Sequence, residues 1–276
     1  MFKPSHRRSA IAASIVLAFV VVTAVTSAHH SWRKFHWARQ SNPFTIKLGD
    51  NVSSGWDQSL NLASADWSLS NVLNTSVVAG GTNPSNCNPT LGRVEVCNAA
   101  YGSNGWLGIA SIWTNGQHIA QGTTKLNDTY FNTAKYNTSA WRNFVTCQEI
   151  GHTFGLDHQD ERFNNLNLGT CMDYTNDPSG TAGTNGTLNN EHPNQHDYEQ
   201  LETIYAHLDS STTVGQSVSS MPPAVANINL DGPRQWGRVV KTSPNGRSSV
   251  YELDFGAGHK VTTFVIWADP EDQNGH

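Results

Sequence analysis

The stretch Cys147-Gln148-Glu149-Ile150-Gly151-His152-Thr153-Phe154-Gly155-Leu156-Asp157-His158 constrains this chain more than any other. Trp141, Phe144, Val145 and Ile150 recur at helical spacing across 139–154, and Thr138 or Ser139 is suited to cap the start. The pattern predicts a helix with one buried side. On that helix Gln148 and His152 share a face, and Glu149 sits beside it, turned by about 100°. Gly155 tolerates positive φ and is placed to stop the helix. The chain can then turn back and present His158 from outside it. Two imidazoles converging beside a carboxylate have the composition of a catalytic zinc site.

The rest of the pattern predicts an α+β, mixed α/β domain around this helix. Strands are expected at 43–49, where Phe44, Ile46 and Leu48 alternate, and at 73–79, 93–99, 106–113 and 119–126. The run 106–113 is almost continuously apolar and ends at the turn signal Asn115-Gly116. Helices are expected at 56–73, capped by Ser53 or Ser54, and at 196–208. A Gly/Asn/Thr-rich loop fills 176–190. The division is then a signal peptide at 1–28, a main domain at 29–209, a linker at 210–223 and a small β-rich appendage at 224–276. The appendage shows β patterning over 234–267 and is short for an independent domain.

Lys3, Arg7 and Arg8 precede a predominantly apolar run over 10–25 and then Thr26-Ser27-Ala28. This predicts export with cleavage after Ala28 and a secreted protein, an uncleaved N-terminal anchor being the alternative. Export favours disulfides. Sequence nearness pairs Cys87 with Cys97 around a Pro/Gly turn, which leaves Cys147 with Cys171; a four-cysteine zinc site lacks the CxxC spacing. Hydrophobic residues make up 37% of the chain and charged residues 14%, which permits a core and excludes a highly charged disordered chain. A net charge of −5 without a basic block excludes nucleic acid as the main partner. The expected state is a monomer, and nothing in the sequence supports structural calcium.

Glu149, His152, Gly155 and His158 stand in the register of the metzincin zinc-endopeptidase signature HExxHxxGxxH, and the wording EIGHTFGLDH resembles the matrixin branch. Met172, in Cys171-Met172-Asp173-Tyr174, fits the methionine turn of that family, a structural floor beneath the metal. Tyr174 resembles the tyrosine that astacins and serralysins use as a zinc or transition-state ligand. The resemblance covers 43–208. It implies a twisted, mostly parallel sheet, an active-site helix and a C-terminal helix, with an antiparallel edge strand, mapped to 106–113, that binds extended peptide. It also implies one catalytic zinc, Glu149 as general base, and a peptide or protein substrate. Matrixin-style cysteine-switch latency is not expected, since 28–43 has no cysteine. The chain departs from the signature at the first ligand position, where Gln148 stands instead of histidine. Three readings follow. Gln148 ligates through its amide oxygen; or Tyr174, His192 or His196 completes the site; or the site is degenerate and the chain is a secreted binding protein. A Cys147–Cys171 bond would tie the helix to the methionine turn. Beside these, Tyr174 can be packing, Asp157 and Asp160 solvated surface groups, His196-Asp197 a helix start, and His29-His30 a loose terminus.

Overall fold

The computed structural model describes Met1 and residues 30–216, 221–226 and 228–273. The expected signal peptide, Met1 aside, and His29 lie outside the described residues. Strands β1 (His36–Trp37), β2 (Phe44–Asn51), β3 (Leu73–Ala79), β4 (Val94–Ala99), β5 (Trp106–Asn115), β6 (His118–Asn127), β7 (Arg238–Thr242), β8 (Ser248–Asp254) and β9 (His259–Trp267) form one mixed sheet. Its order is β3-β2-β4-β6-β5-β9-β8-β7, with β1 added beside β6. From β3 to β6 the pairs are parallel. The direction reverses at the β5–β6 hairpin and stays antiparallel out to β7. The reversal follows from Asn115-Gly116: Asn115 pairs with His118, and Gly116 takes φ +60° in the two-residue loop.

Helices α1 (Asp57–Trp67), α2 (Asp128–Phe131), α3 (Ser139–His152) and α4 (Gln195–Ile204) supply the other layer. Trp67 of α1 is fully buried and donates its indole N–H to the Cys147 carbonyl of α3 at 3.1 Å. Gly151 permits that approach, because a Cβ there would stand 2.7 Å from the Trp67 ring and 2.8 Å from Met172 Sδ. All three long helices end short of expectation, α3 at His152 by two residues, and the ends of α1 and α4 have side-chain causes. α1 stops at Trp67, where Ser68 turns its hydroxyl onto the Ser64 carbonyl and its peptide N–H closes on the same turn. α4 stops at Ile204, where the Arg39 guanidinium takes the carbonyls of Tyr205 and His207.

Both disulfides form as sequence nearness suggested, Cys87–Cys97 and Cys147–Cys171. The segment 106–113 is not an edge, however. β9 lies along the whole of β5, from Trp106 opposite Trp267 to Asn115 opposite His259. The physical reason is in β5 itself: every residue from Trp106 to Thr114 is buried, as expected of a strand covered on both faces and both sides. On one face Trp106, Ile109 and Trp113 pack with Val261, Val265 and Trp236. On the other, Ala110 and Ile112 pack with Phe264, Ile266 and Val250 in the main core. The C-terminal strands therefore continue the main sheet.

Candidate metal centre and active site

α3 begins as its sequence requires, with the Thr138 hydroxyl accepting from the Trp141 N–H. It ends where Gly155 adopts φ +96°, and a Cβ at that position would lie 2.2 Å from the Phe35 carbonyl oxygen. Glycine is required there both by conformation and by space. The returning strand is clamped on two sides. Asp157 N–H donates to His30 O at 2.6 Å, and Gln159 N–H donates to Met172 O at 2.6 Å. His158 is thereby placed between the methionine turn and the helix end.

This turn gathers Gln148, Glu149, His152 and His158, all buried. Gln148 donates its amide N–H to Cys171 O at 2.9 Å, which turns Oε1 away from that carbonyl and leaves it without a hydrogen-bond partner. Burial pushes the Glu149 carboxyl well above its usual range, offset in part by the Ala110 peptide N–H of β5. Its Oε2 has no partner. Gly108 of β5 makes room, since a Cβ there would sit 2.9 Å from Glu149 Oε1. His152 Nδ1 lies 2.9 Å from Leu156 O; a carbonyl can only accept, so Nδ1 holds the proton and Nε2 is the electron-pair donor. Burial lowers the affinity of His152 for a second proton, and the nearby His158 lowers it further. The His152 and His158 rings meet edge-on at 4.5 Å.

His158 Nε2 has no hydrogen-bond partner, whereas Nδ1 faces Asp157 at 3.3 Å and Glu161 at 3.4 Å. Burial opposes protonation of the ring, but these carboxylates outweigh it and raise its proton affinity. Asp157 is not a solvated surface group. It is buried and bound to Lys241 Nζ of β7 at 2.7 Å, and that ammonium also holds Glu161 at 2.8 Å. Burial opposes ionisation of Asp157, yet His158 and Lys241 hold its carboxyl well below the usual range.

Tyr174 is buried between His158, at 4.3 Å between ring centroids, and Phe163, at 4.6 Å. Burial pushes its phenol well up, and the hydroxyl bonds Ser248 of β8. Met172 is fully buried against α3. His192 pairs with Asp66 at 2.7 Å and His196 stacks on His30 at 4.7 Å, so the structure directs both elsewhere. His30 is no loose terminus: it is buried, with Nε2 3.0 Å from Asp197 Oδ1 and its peptide N–H on Gln200.

The donor set fits zinc. An amide oxygen and two imidazoles meet the ligand count of an open catalytic site, and His152 has the carbonyl partner that orients such ligands. The unpartnered Gln148 Oε1 and His158 Nε2 are buried polar atoms that a cation would satisfy, with His158 Nδ1 left to face Asp157 and Glu161. The sequence missed the cover over this site. The Phe264 ring of β9 stacks on His152 at 4.4 Å with 5° between planes, Ser248 takes Tyr174, and Lys241 takes Asp157.

No protein-family model matches the chain, and no curated protein sequence matches it. Among solved structures it is similar to high choriolytic enzyme 1, a hatching-enzyme zinc protease from the medaka fish Oryzias latipes. The identity is 14% and the TM-score 0.34, with 62% of this chain and 94% of that one covered. It is also similar to myroilysin, at 10% identity and TM-score 0.33, with 60% of this chain and 82% of that one covered. Among the described residues no helix is long and apolar enough to cross a membrane.

Proposed function

We propose that the chain is a secreted zinc-dependent endopeptidase of metzincin type. In this reading residues 29–209 carry the chemistry and the β-rich segment 224–276 covers it. The observation that carries the proposal is the set of buried, unpartnered polar atoms around one turn: Gln148 Oε1, Glu149 Oε2 and His158 Nε2, beside the electron-pair nitrogen of His152. Gln148, His152 and His158 would hold the zinc, which when bound brings the pKa of a coordinated water toward neutrality.

Glu149 performs the proton transfers. Its desolvated carboxylate is a stronger base than one in water, because burial disfavours its charged form. It takes the proton of the attacking water at Oε2 and hands it to the leaving amine. The Ala110 N–H anchors the carboxylate, and Gly108 leaves it space. Tyr174 packs on His158 and holds that ring in place.

Extended substrate would pair with β5, the strand that β9 occupies. Hydrolysis therefore requires β7–β9 to move off, taking Phe264 from the His152 ring. Replacing Phe264 by alanine removes this contact and loosens β9, so the variant is expected to cleave an unfolded protein faster than wild type. A slower rate with an intact fold by circular dichroism would show that Phe264 supports the site instead of covering it.

The test of the function is hydrolysis of an unfolded protein by the untagged mature chain, lost on chelation and restored by zinc. His152→Ala should release one equivalent of zinc and the activity with it. A chain that retains all its zinc in His152→Ala and cleaves nothing, in wild type and Phe264→Ala alike, would instead be a binding protein with a protease fold.

Gln148 gives a graded check. A neutral amide oxygen is a weaker zinc donor than an imidazole nitrogen. Gln148→His presents an imidazole from the same helix position and is expected to tighten zinc at least tenfold, about 1.4 kcal/mol. Competitive zinc titration reads this, and unchanged or weaker binding would mean that Gln148 does not face the metal.

A further inference from the structure

Three imidazoles converge on one carboxylate oxygen where β1, the start of β6 and the segment after α4 meet. Asp209 Oδ1 lies 3.4 Å from His36 Nε2, 3.2 Å from His118 Nε2 and 3.6 Å from His207 Nε2. The His36 and His207 Nε2 atoms are 3.3 Å apart. The donor atoms of His36, His207 and Asp209 all lie within 4.8 Å of one another.

The hydrogen bonding around the cluster fixes one of these atoms, His36 Nε2, as an electron-pair donor. His36 Nδ1 is 2.8 Å from the Lys34 carbonyl oxygen, so Nδ1 carries the proton of the neutral ring. Its bare Nε2 then confronts an anionic oxygen and a second imidazole nitrogen. Asp209 Oδ2 is taken by Arg39, through Nη1 at 2.9 Å and the peptide N–H at 3.2 Å, which leaves Oδ1 for the histidines. Imidazolium–carboxylate pairs would close to about 2.7–2.9 Å. The separations here are longer, 3.2–3.6 Å. They match instead the edge of a tetrahedron about zinc, about 3.3–3.4 Å for bonds of about 2.0–2.1 Å.

We propose that His36, His207 and Asp209 form a second, three-ligand site for zinc or a similar divalent transition metal, with His118 on Asp209 beside it. Nitrogen-rich, mixed N/O donors of this kind suit borderline cations over calcium or magnesium. Lys34 O and Arg39 are the groups that orient the ligands. The His36 and Asp209 side chains are 3% and 9% exposed, whereas His118 is 39% and His207 56% exposed, which gives the cation a path from solvent. Bound there, it staples the N-terminal strand to the chain leaving α4. The site stands apart from the α3 turn and does not depend on the reading of it.

The test is competitive zinc titration of untagged, metal-free protein in four forms: wild type, His152→Ala, His207→Ala and the double variant. His207 is exposed, so its replacement leaves the fold in place. His152→Ala is expected still to bind one zinc, and its unfolding temperature should rise when zinc is added. His207→Ala should weaken this site at least tenfold, and the double variant should lose both the zinc and the thermal shift. If His152→Ala binds no zinc, or if the double variant binds as tightly as His152→Ala, the second site is refuted. A wild type that binds a single zinc, kept in His152→Ala and lost in His207→Ala, would uphold this site while removing the one on α3.

Discussion

Replacing Glu149 by glutamine is expected to lower peptide hydrolysis by about 10²–10⁴-fold, the usual worth of a positioned general base. Zinc stoichiometry should stay at the wild-type value, because the proposed ligands are Gln148, His152 and His158. The fold should be no less stable. Glu149 is buried with one oxygen unpartnered, and burial already opposes its charge, so a neutral amide of the same shape removes a desolvation penalty. Loss of rate without loss of metal or stability separates the base from a structural carboxylate. The comparison is made in wild type and in Phe264→Ala, so that the cover does not mask it. A variant that turns over at the parental rate would remove the mechanism.

Breaking Cys147–Cys171 by the double change to serine is expected to cost about 3.5 kcal/mol, the chain-entropy value for a loop of this separation, 24 residues. At about 2–4 °C per kcal/mol the unfolding midpoint should fall by roughly 7–14 °C. The bond joins the residue before Gln148 to the residue before Met172, and Gln148 donates to the Cys171 carbonyl. Zinc affinity at the α3 turn should therefore weaken as well. Opening Cys87–Cys97, with its separation of 10, should cost less and leave that zinc unchanged. Thermal unfolding and zinc titration of the two double variants decide this. Equal effects on zinc would mean that the Cys147 bond does not position the site.

Much of the site was legible because its determinants are local. The i, i+4 relation of Gln148 and His152, the Thr138 cap and the stop at Gly155 are properties of one helix and one turn, and the structure reproduces each. The closeness of Met172 to α3 was carried by the Cys147–Cys171 pairing and by the resemblance, and its physical enabler, the missing Cβ of Gly151, is visible only once Trp67 is in place. The fate of Asp157 was misjudged for the opposite reason. Nothing near it in sequence marks it as buried, and its partner Lys241 comes from a strand 84 residues away.

Local patterns were enough for the longer elements and their faces, though not for the short β1 and α2. Period-two and period-3.6 patterns, the Asn115-Gly116 turn and cysteine spacing act over a few residues, where bonding geometry leaves few choices. Tertiary structure alone decided which strand covers β5. The unbroken burial of Trp106 to Thr114 demanded a neighbour on that side, but the pattern is silent on which segment supplies it. Thr263 reaches Ser111 across 152 residues of chain. The same holds for His36, His118 and the local pair His207 and Asp209, which meet only because β1 pairs with β6 and Arg39 pins the end of α4. Such contacts form when distant segments bury complementary surfaces together, and no local pattern encodes the partner.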